Sequence, residues 1–533
     1  TITVSGPGGV NELSWDERGN LVRSLRDGVG LGWSYDADGR RTAFTRPDGS
    51  QTQYEYDAAG RVCAIEHTGL GRSTIDRDAV GRIVSVNGPG MHATWTWADG
   101  AVVEHRMVQD GVETLTRVER DVDGRVLAEV VNGSRTEYVH DEAGQLVRLC
   151  SAAGVTDLTH DANGRLVLES GPTGVTRYSY DEAGQLTSMR GPRGVTEFGY
   201  DAGGRRVREQ GPEGERRFAW DPRGFLARVT SAAHVQDRVR SASDELVVDA
   251  LGELAAVNGT SLLWDSSSAV PSLAQVGSRS VVQFAGATGM AGDDRPEWMA
   301  PSWRERGAGS DPWAAPTSVA TGGGLWVGAL GSVQVAGLEW MQARVYDPAT
   351  RGFLSTDPLD GVPGAAWAGN PYSFAGNDPV GMSDPLGLRP VTDAELQGYR
   401  DAHQGALARA GHAVAGWWND NWEYVAGGAL LVAGVAVAAT GIGGPIGAGM
   451  IAGGLMMAGG SVVSQKVQDG TVDWGRVVVD GAIGAVAGGA TGAVFSGASA
   501  LLQGASCLGR NVIAGAASGA ADGAITGGLS YLT

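Results

Sequence analysis

The sequence predicts a mainly β protein of repeated hairpins, followed by an α-helical, Ala/Gly-rich C-terminal region. Three observations predict it. An Asp-x-x-Gly core, usually preceded by an aromatic residue or histidine, recurs every 20 to 22 residues through the first 230. Apolar and polar residues alternate on both sides of that core, the period of half-buried strands. A 42-residue stretch, 424–465, carries no charge.

The repeat comes first in the chain. WDERGNL starts at Trp15, YDADGRR at Tyr35 and YDAAGRV at Tyr56; later copies include HDANGRL at His160, YDEAGQL at Tyr180 and WDPRGFL at Trp220. The aspartates are Asp16, Asp36, Asp57, Asp78, Asp99, Asp121, Asp141, Asp161, Asp181, Asp201 and Asp221. VTRYSY before Asp181 alternates, and so does QLTSMR after its turn. Asp accepts backbone amides two or more residues on, and Gly supplies positive φ, so Asp-x-x-Gly makes a tight connection. GPTGV and GPRGV turn the chain at the other end. Each copy is one hairpin that cannot bury a face alone, and stacked copies build a long sheet expected to curl on itself. A calcium loop is the other reading of these acids. One acid per loop falls short of the six or more oxygens calcium takes, so turn chemistry is preferred.

Residues 231–336 form a second segment of degenerate repeats. VVDALGELAAVNGTSLLWD still reads as strands, and the loop-rich part beyond it carries four tryptophans between 298 and 326 that call for burial.

The repeats over residues 10–230 resemble the YD repeats of RHS proteins, of the Tc toxin C component and of teneurins. The resemblance implies that residues 1–230 are wound into a large hollow β-shell. Residues 337–388 resemble the RHS repeat-associated core, through ARVYDPATRGFLSTDPL at 343–359, NPYSFAGNDPV at 370–380 and DPLGL at 384–388. This core is expected to close the shell and to carry an intramolecular aspartyl protease. By resemblance the catalytic carboxylates are Asp357 and Asp384, Arg344 orients a carboxylate or oxyanion, and the chain is cut between Leu388 and Arg389. Asp360 or Asp378 is the alternative second acid. The 27 residues from Asp357 to Asp384 exceed the usual family spacing, and the first motif reads DPLDG. Two carboxylates suit peptide hydrolysis because close approach keeps one protonated and one ionised. Gly387 lets the backbone approach the acids. Asp347-Pro348 and Asp378-Pro379 read as turn starters.

Residues 389–533 change character. Thr392 and Glu395 make a capping box ahead of a helical pattern. The uncharged run then falls into two halves of about 20 residues, the bilayer-spanning length, with small residues at Gly449 and Gly453 that permit close helix packing. It reads as a membrane-inserting cargo segment, as a soluble pre-toxin linker, or as a buried helical hairpin; the first is favoured because such a run is hard to keep in water. His403 and His412 read as surface residues of helices.

The net charge of −19 argues against phosphate-backbone binding. Three scattered cysteines give neither a disulfide framework nor zinc spacing. No metal or cofactor is expected. The chain opens at Thr1 inside a patterned stretch and is read as a fragment of a longer protein. The expected function is the C-terminal part of an RHS-family polymorphic toxin of interbacterial competition, secreted or at the cell surface, which encloses its own C-terminal segment as cargo and frees it by self-cleavage. Its expected partners are that cargo, a target membrane, an immunity protein and a secretion-system component, with no nucleic acid. The alternative is a cell-surface adhesion or wall-associated protein with a C-terminal membrane anchor and no cleavage.

Overall fold

Each Asp-x-x-Gly core folds as a bulged hairpin turn. At Asp181 the main-chain amide donates to the Gln185 carbonyl at 3.0 Å, and the Gly184 amide returns to the Asp181 carbonyl at 3.1 Å. Asp181 Oδ1 accepts the amides of Ala183 and Gln185, both at 2.9 Å. Gly184 sits at φ 77°, a conformation that costs Gly little. The pairing register shifts just before the turn, between Ser179 and Tyr180, and shifts at the same place in neighbouring repeats. The acids are thus used as turn acceptors, and the second oxygen often meets the side chain four residues on, as Asp161 Oδ2 meets Arg165 Nε at 2.7 Å.

Neighbouring repeats grip one another through the residue before the Asp. Tyr180 Oη donates to the Leu166 carbonyl at 2.8 Å, and Trp220 Nε1 to the Arg206 carbonyl at 2.8 Å. The arginine of one turn lies over the next aromatic ring, Arg165 over Tyr180 and Arg205 over Trp220. At the opposite end the turns nest: a methyl on Gly174 would lie 2.5 Å from Pro192 Cγ.

The computed structural model describes residues 1–392 apart from 236–237, 268–270, 293–296, 300, 302–310, 317, 329–330, 360–363 and 389. Thirty strands, from Ile2–Gly6 to Glu297–Met299, form one antiparallel sheet in which each strand pairs with the one before and the one after it in sequence. Six strands from Ser318–Gly322 to Gly352–Phe353 make a second antiparallel sheet, and Met382–Ser383 pairs with Val391–Thr392.

This corrects the expected closed shell. Among the described residues the first strand pairs only with the second, and Glu297–Met299 only with Ala287–Ala291, so the ladder ends at two edges and the sheet is open. A run of mostly two-residue and five-residue connections gives a meander; nothing in that local chemistry brings the first strand to the last. The expected helical region beyond 392, including 424–465, lies outside the described residues. Among the described residues no helix is long and apolar enough to cross a membrane.

Two apolar clusters join the sheets. Phe218, Leu226, Val229 and Leu246 of the long sheet pack with Leu325, Val333, Leu338 and Trp340 of the short one. Val118, Val126, Tyr138 and Leu146 pack with Tyr346, Phe353 and Phe374. Burial of this kind contributes about 25 cal/mol per Å² of apolar surface removed from water. The second cluster holds in place the strands that carry the predicted site.

Candidate functional site

All four residues of the strand Arg344–Asp347 are buried, so the chain places a guanidinium in its interior. A buried cation needs partners at every face, and Arg344 has them. Its Nη2 lies 3.0 Å from Asp357 Oδ2 and 3.3 Å from Asp384 Oδ2. Its Nη1 donates to the Pro371 carbonyl at 3.2 Å, and its Nε donates to the Gly387 carbonyl. The guanidinium carbon stands 3.7 Å from the centre of the Phe353 ring. Burial lowers the proton affinity of Arg344, and the two carboxylates oppose that.

Asp357 sits at the start of a turn, with Oδ1 accepting the Leu359 amide at 2.8 Å. Its own amide donates to the Pro371 carbonyl at 2.8 Å. The carboxyl is half-buried, and burial raises its pKa against the pull of Arg344.

Asp384 is 1 % exposed and rebuilds the turn of the repeats. The Gly387 amide donates to the Asp384 carbonyl at 3.1 Å, and Asp384 Oδ1 accepts the Leu388 amide at 2.8 Å. In many repeats the residue four on is Arg, Gln or Asn and takes the second carboxylate oxygen. Here that residue is Leu388, and Oδ2 faces Arg344 instead. Gly387 sits at φ 64°, and a methyl there would run into the Met341 carbonyl.

The structure therefore brings Arg344, Asp357, Asp384, Gly387 and Leu388 together. Arg389 and Asp360 lie outside the described residues. Asp347 and Asp378 do start turns, accepting the amides of Ala349 and of Val380, and each also anchors the core to the long sheet. Asp347 Oδ2 lies 2.7 Å from Arg206 Nη1, and Asp378 Oδ1 lies 3.2 Å from His140 Nε2. Sequence reasoning missed the Pro371 carbonyl, which no side-chain pattern reveals. It also missed Phe353, the eleventh residue of the predicted motif and nine after Arg344, where an aromatic in the same motif as the Arg was the available signal. Among the described residues no group of His, Cys, Asp and Glu is placed to hold a metal ion.

Residues 35–73, 160–196 and 180–216 match the RHS repeat family. No curated protein matches the chain. Solved structures show a distant likeness at low identity. A complex titled TcdB2-TccC3-Cdc42 matches at 13% identity and TM-score 0.34, over 74% of this chain and 30% of that one. The Photorhabdus luminescens Tc holotoxin pore carrying a TccC3 mutation matches at 13% identity and TM-score 0.33, over 72% and 30%. The chain thus spans 30% of the length of the chains it matches.

Proposed function

We propose that residues 337–388 act as an intramolecular aspartyl protease that cuts the chain between Leu388 and Arg389, within a repeat-bearing component of a secreted bacterial toxin. One observation carries this reading: a single guanidinium nitrogen meets both carboxylates, while one of those carboxylates holds the amide of Leu388. The catalytic pair and the residue before the proposed cut thus share one small volume.

The chemistry needs one proton between two acids. Asp384 serves as the ionised partner and takes a proton from water, and the resulting hydroxide attacks the Leu388 carbonyl carbon. Asp357, whose proton affinity burial increases, gives its proton to the departing nitrogen of Arg389 as the C–N bond breaks. The products are a new carboxyl at Leu388 and a new amine at Arg389. Arg344 offsets negative charge through the sequence. The freed region from 389 onward is the effector, with the uncharged run 424–465 as its membrane-inserting part. The expected partners are a target membrane and the toxin's delivery and immunity proteins.

The test is direct. The purified chain should run as two pieces, with Arg389 at the new N-terminus by mass spectrometry, and Asp384→Asn and Asp357→Asn should each leave it whole. A wild-type chain that stays intact under native conditions counts against the reading and favours an uncut, anchored surface protein.

A further inference from the structure

We infer that Tyr372 is a positioning residue for the two carboxylates, transmitting the place of the repeat turn at Asp201–Gly204 to the Pro371 carbonyl. The inference rests on the reading of Arg344, Asp357 and Asp384 as a self-cleaving centre, and adds to it a dependence on one particular repeat.

The Pro371 carbonyl is the shared seat of the site. It accepts the Asp357 amide at 2.8 Å and Arg344 Nη1 at 3.2 Å, so its position sets the distance between cation and acid. Proline has no amide hydrogen of its own with which to fix that carbonyl. The residue after it is tied at three points. The Tyr372 amide donates to Asn370 Oδ1 at 3.2 Å, its carbonyl accepts the Phe353 amide at 3.0 Å, and its hydroxyl donates to the Gly204 carbonyl at 2.7 Å. Phe353 is the ring beneath Arg344. Tyr372 thus touches both supports of the guanidinium without touching either acid.

The partner of that hydroxyl belongs to a repeat 168 residues away. Tyr200, just before the same turn, meets the Tyr372 ring edge-on at 5.8 Å between centres. Arg206, just after it, donates its amide to the Leu354 carbonyl at 2.8 Å. The turn at 201–204 therefore serves the core at three places in addition to closing its own hairpin. A structural tyrosine would need only its ring; the buried hydroxyl aimed at a turn carbonyl fixes an angle as well as a depth.

The experiment follows timed self-cleavage of the full chain after cell-free synthesis and dilution into buffers across pH 4–9. Tyr372→Phe keeps the ring and removes the ties of the hydroxyl to the Gly204 carbonyl and to the Gln185 side chain, and is expected to cut about tenfold more slowly, the scale of one buried hydrogen bond. Gly204→Ala crowds the same hydroxyl and, equally, the residue before Asp357, since its new methyl would lie 2.9 Å from Tyr372 Oη and 2.9 Å from Thr356 Cγ2; it is expected to slow the cut at least as much, so Tyr372→Phe is the variant that isolates the tyrosine. Gly224→Ala imposes the same positive-φ strain in the next turn, where the nearest side-chain atom is Arg205 Nη1 at 3.8 Å, and should cut at the wild-type rate. Among the described residues the charged groups around Asp357 are Arg344 and, through it, Asp384. A looser Arg344 leaves Asp357 holding its proton to higher pH, so the rate profile of Tyr372→Phe should move upward in pH. Slower cutting with an unmoved profile means a merely structural tyrosine and overturns the inference. So does wild-type speed in Tyr372→Phe while Asp384→Asn stays whole, and that outcome leaves the cleavage reading intact. A wild-type chain that never cuts removes both.

Discussion

The guanidinium carbon of Arg344 lies 3.7 Å from the centre of the Phe353 ring, with both residues buried. A cation removed from water gains about 2 kcal/mol from a ring face. Phe353→Leu keeps an apolar side chain and removes that face. It is expected to lower the stability of the full chain by about 2–3 kcal/mol, adding a small cavity cost, and to slow self-cleavage. Phe353→Tyr should recover most of the rate. The checks are urea unfolding followed by tryptophan fluorescence and the fraction of chain cut with time. Equal stability and rate in Phe353→Leu would show that the ring is only filler.

Asp347 and Arg206 form a second buried pair, 2.7 Å apart and both nearly inaccessible. Asp347→Asn leaves a buried guanidinium without its anion, which costs about 3–5 kcal/mol. Replacing both, Arg206→Met with Asp347→Leu, should cost less than the single change, because no charge is left stranded. The same variants test the site assignment. Asp347→Asn should still cut in molecules that fold, whereas Asp357→Asn should not; the reverse result would move the catalytic acid to Asp347.

His105 is 3 % exposed, its ring 4.9 Å from that of Trp95, and burial pulls its pKa down to about 4. The free side chain titrates near 6.5. Between these values the unfolded chain takes up the proton and the folded chain does not, so stability present above pH 6.5 is lost as pH falls toward 4. From pH 7 to pH 5 this amounts to about 2 kcal/mol. His105→Leu should lose less stability than wild type over that interval. Denaturation curves at the two pH values decide it, and parallel losses would show that the ring is protonated in the fold.

Much of this organisation is legible residue by residue. Asp181, Gly184 and their counterparts announce turns through their own chemistry, because the partners are two to four residues away. The anchors Asp347 and Asp378 read as turn starters, Asp378 also as an alternative second acid, and their anchoring is hidden because Arg206 and His140 lie 141 and 238 residues off in sequence. The open ladder was not legible: turn chemistry dictates that neighbours pair and is silent about whether the ends meet. Resemblance pointed to Arg344, Asp357 and Asp384. A residue-level signal was present as well, since Leu388 stands where many repeats have Arg, Gln or Asn, leaving Asp384 with an oxygen for a distant partner. The Pro371 carbonyl has no such signature, because a backbone acceptor looks the same in every residue.

Gly387 offers the sharpest separation between shape and chemistry at the site. Its φ of 64° suits glycine, and its missing side chain lets the turn lie against the strand carrying Arg344, where the Ala343 amide donates to the Leu386 carbonyl at 3.1 Å. A methyl would collide with the Met341 carbonyl and stand 3.0 Å from the Arg344 amide, both main-chain atoms that cannot swing aside. Gly387→Ala retains both acids and Arg344 yet must push the Asp384–Leu388 turn away from them. The positive-φ strain alone costs about 1–3 kcal/mol. A displacement near 1 Å costs about a hundredfold in rate. Self-cleavage should therefore fall by about that factor while the long repeat sheet unfolds at its usual urea concentration, because its strands do not run through this turn. Gly224→Ala carries comparable strain in a repeat turn and should leave cutting unchanged. Wild-type cutting in Gly387→Ala would mean that the bond is broken in an arrangement where this turn has already left Arg344, and the pairing of Asp384 with Arg344 would then describe a resting contact only.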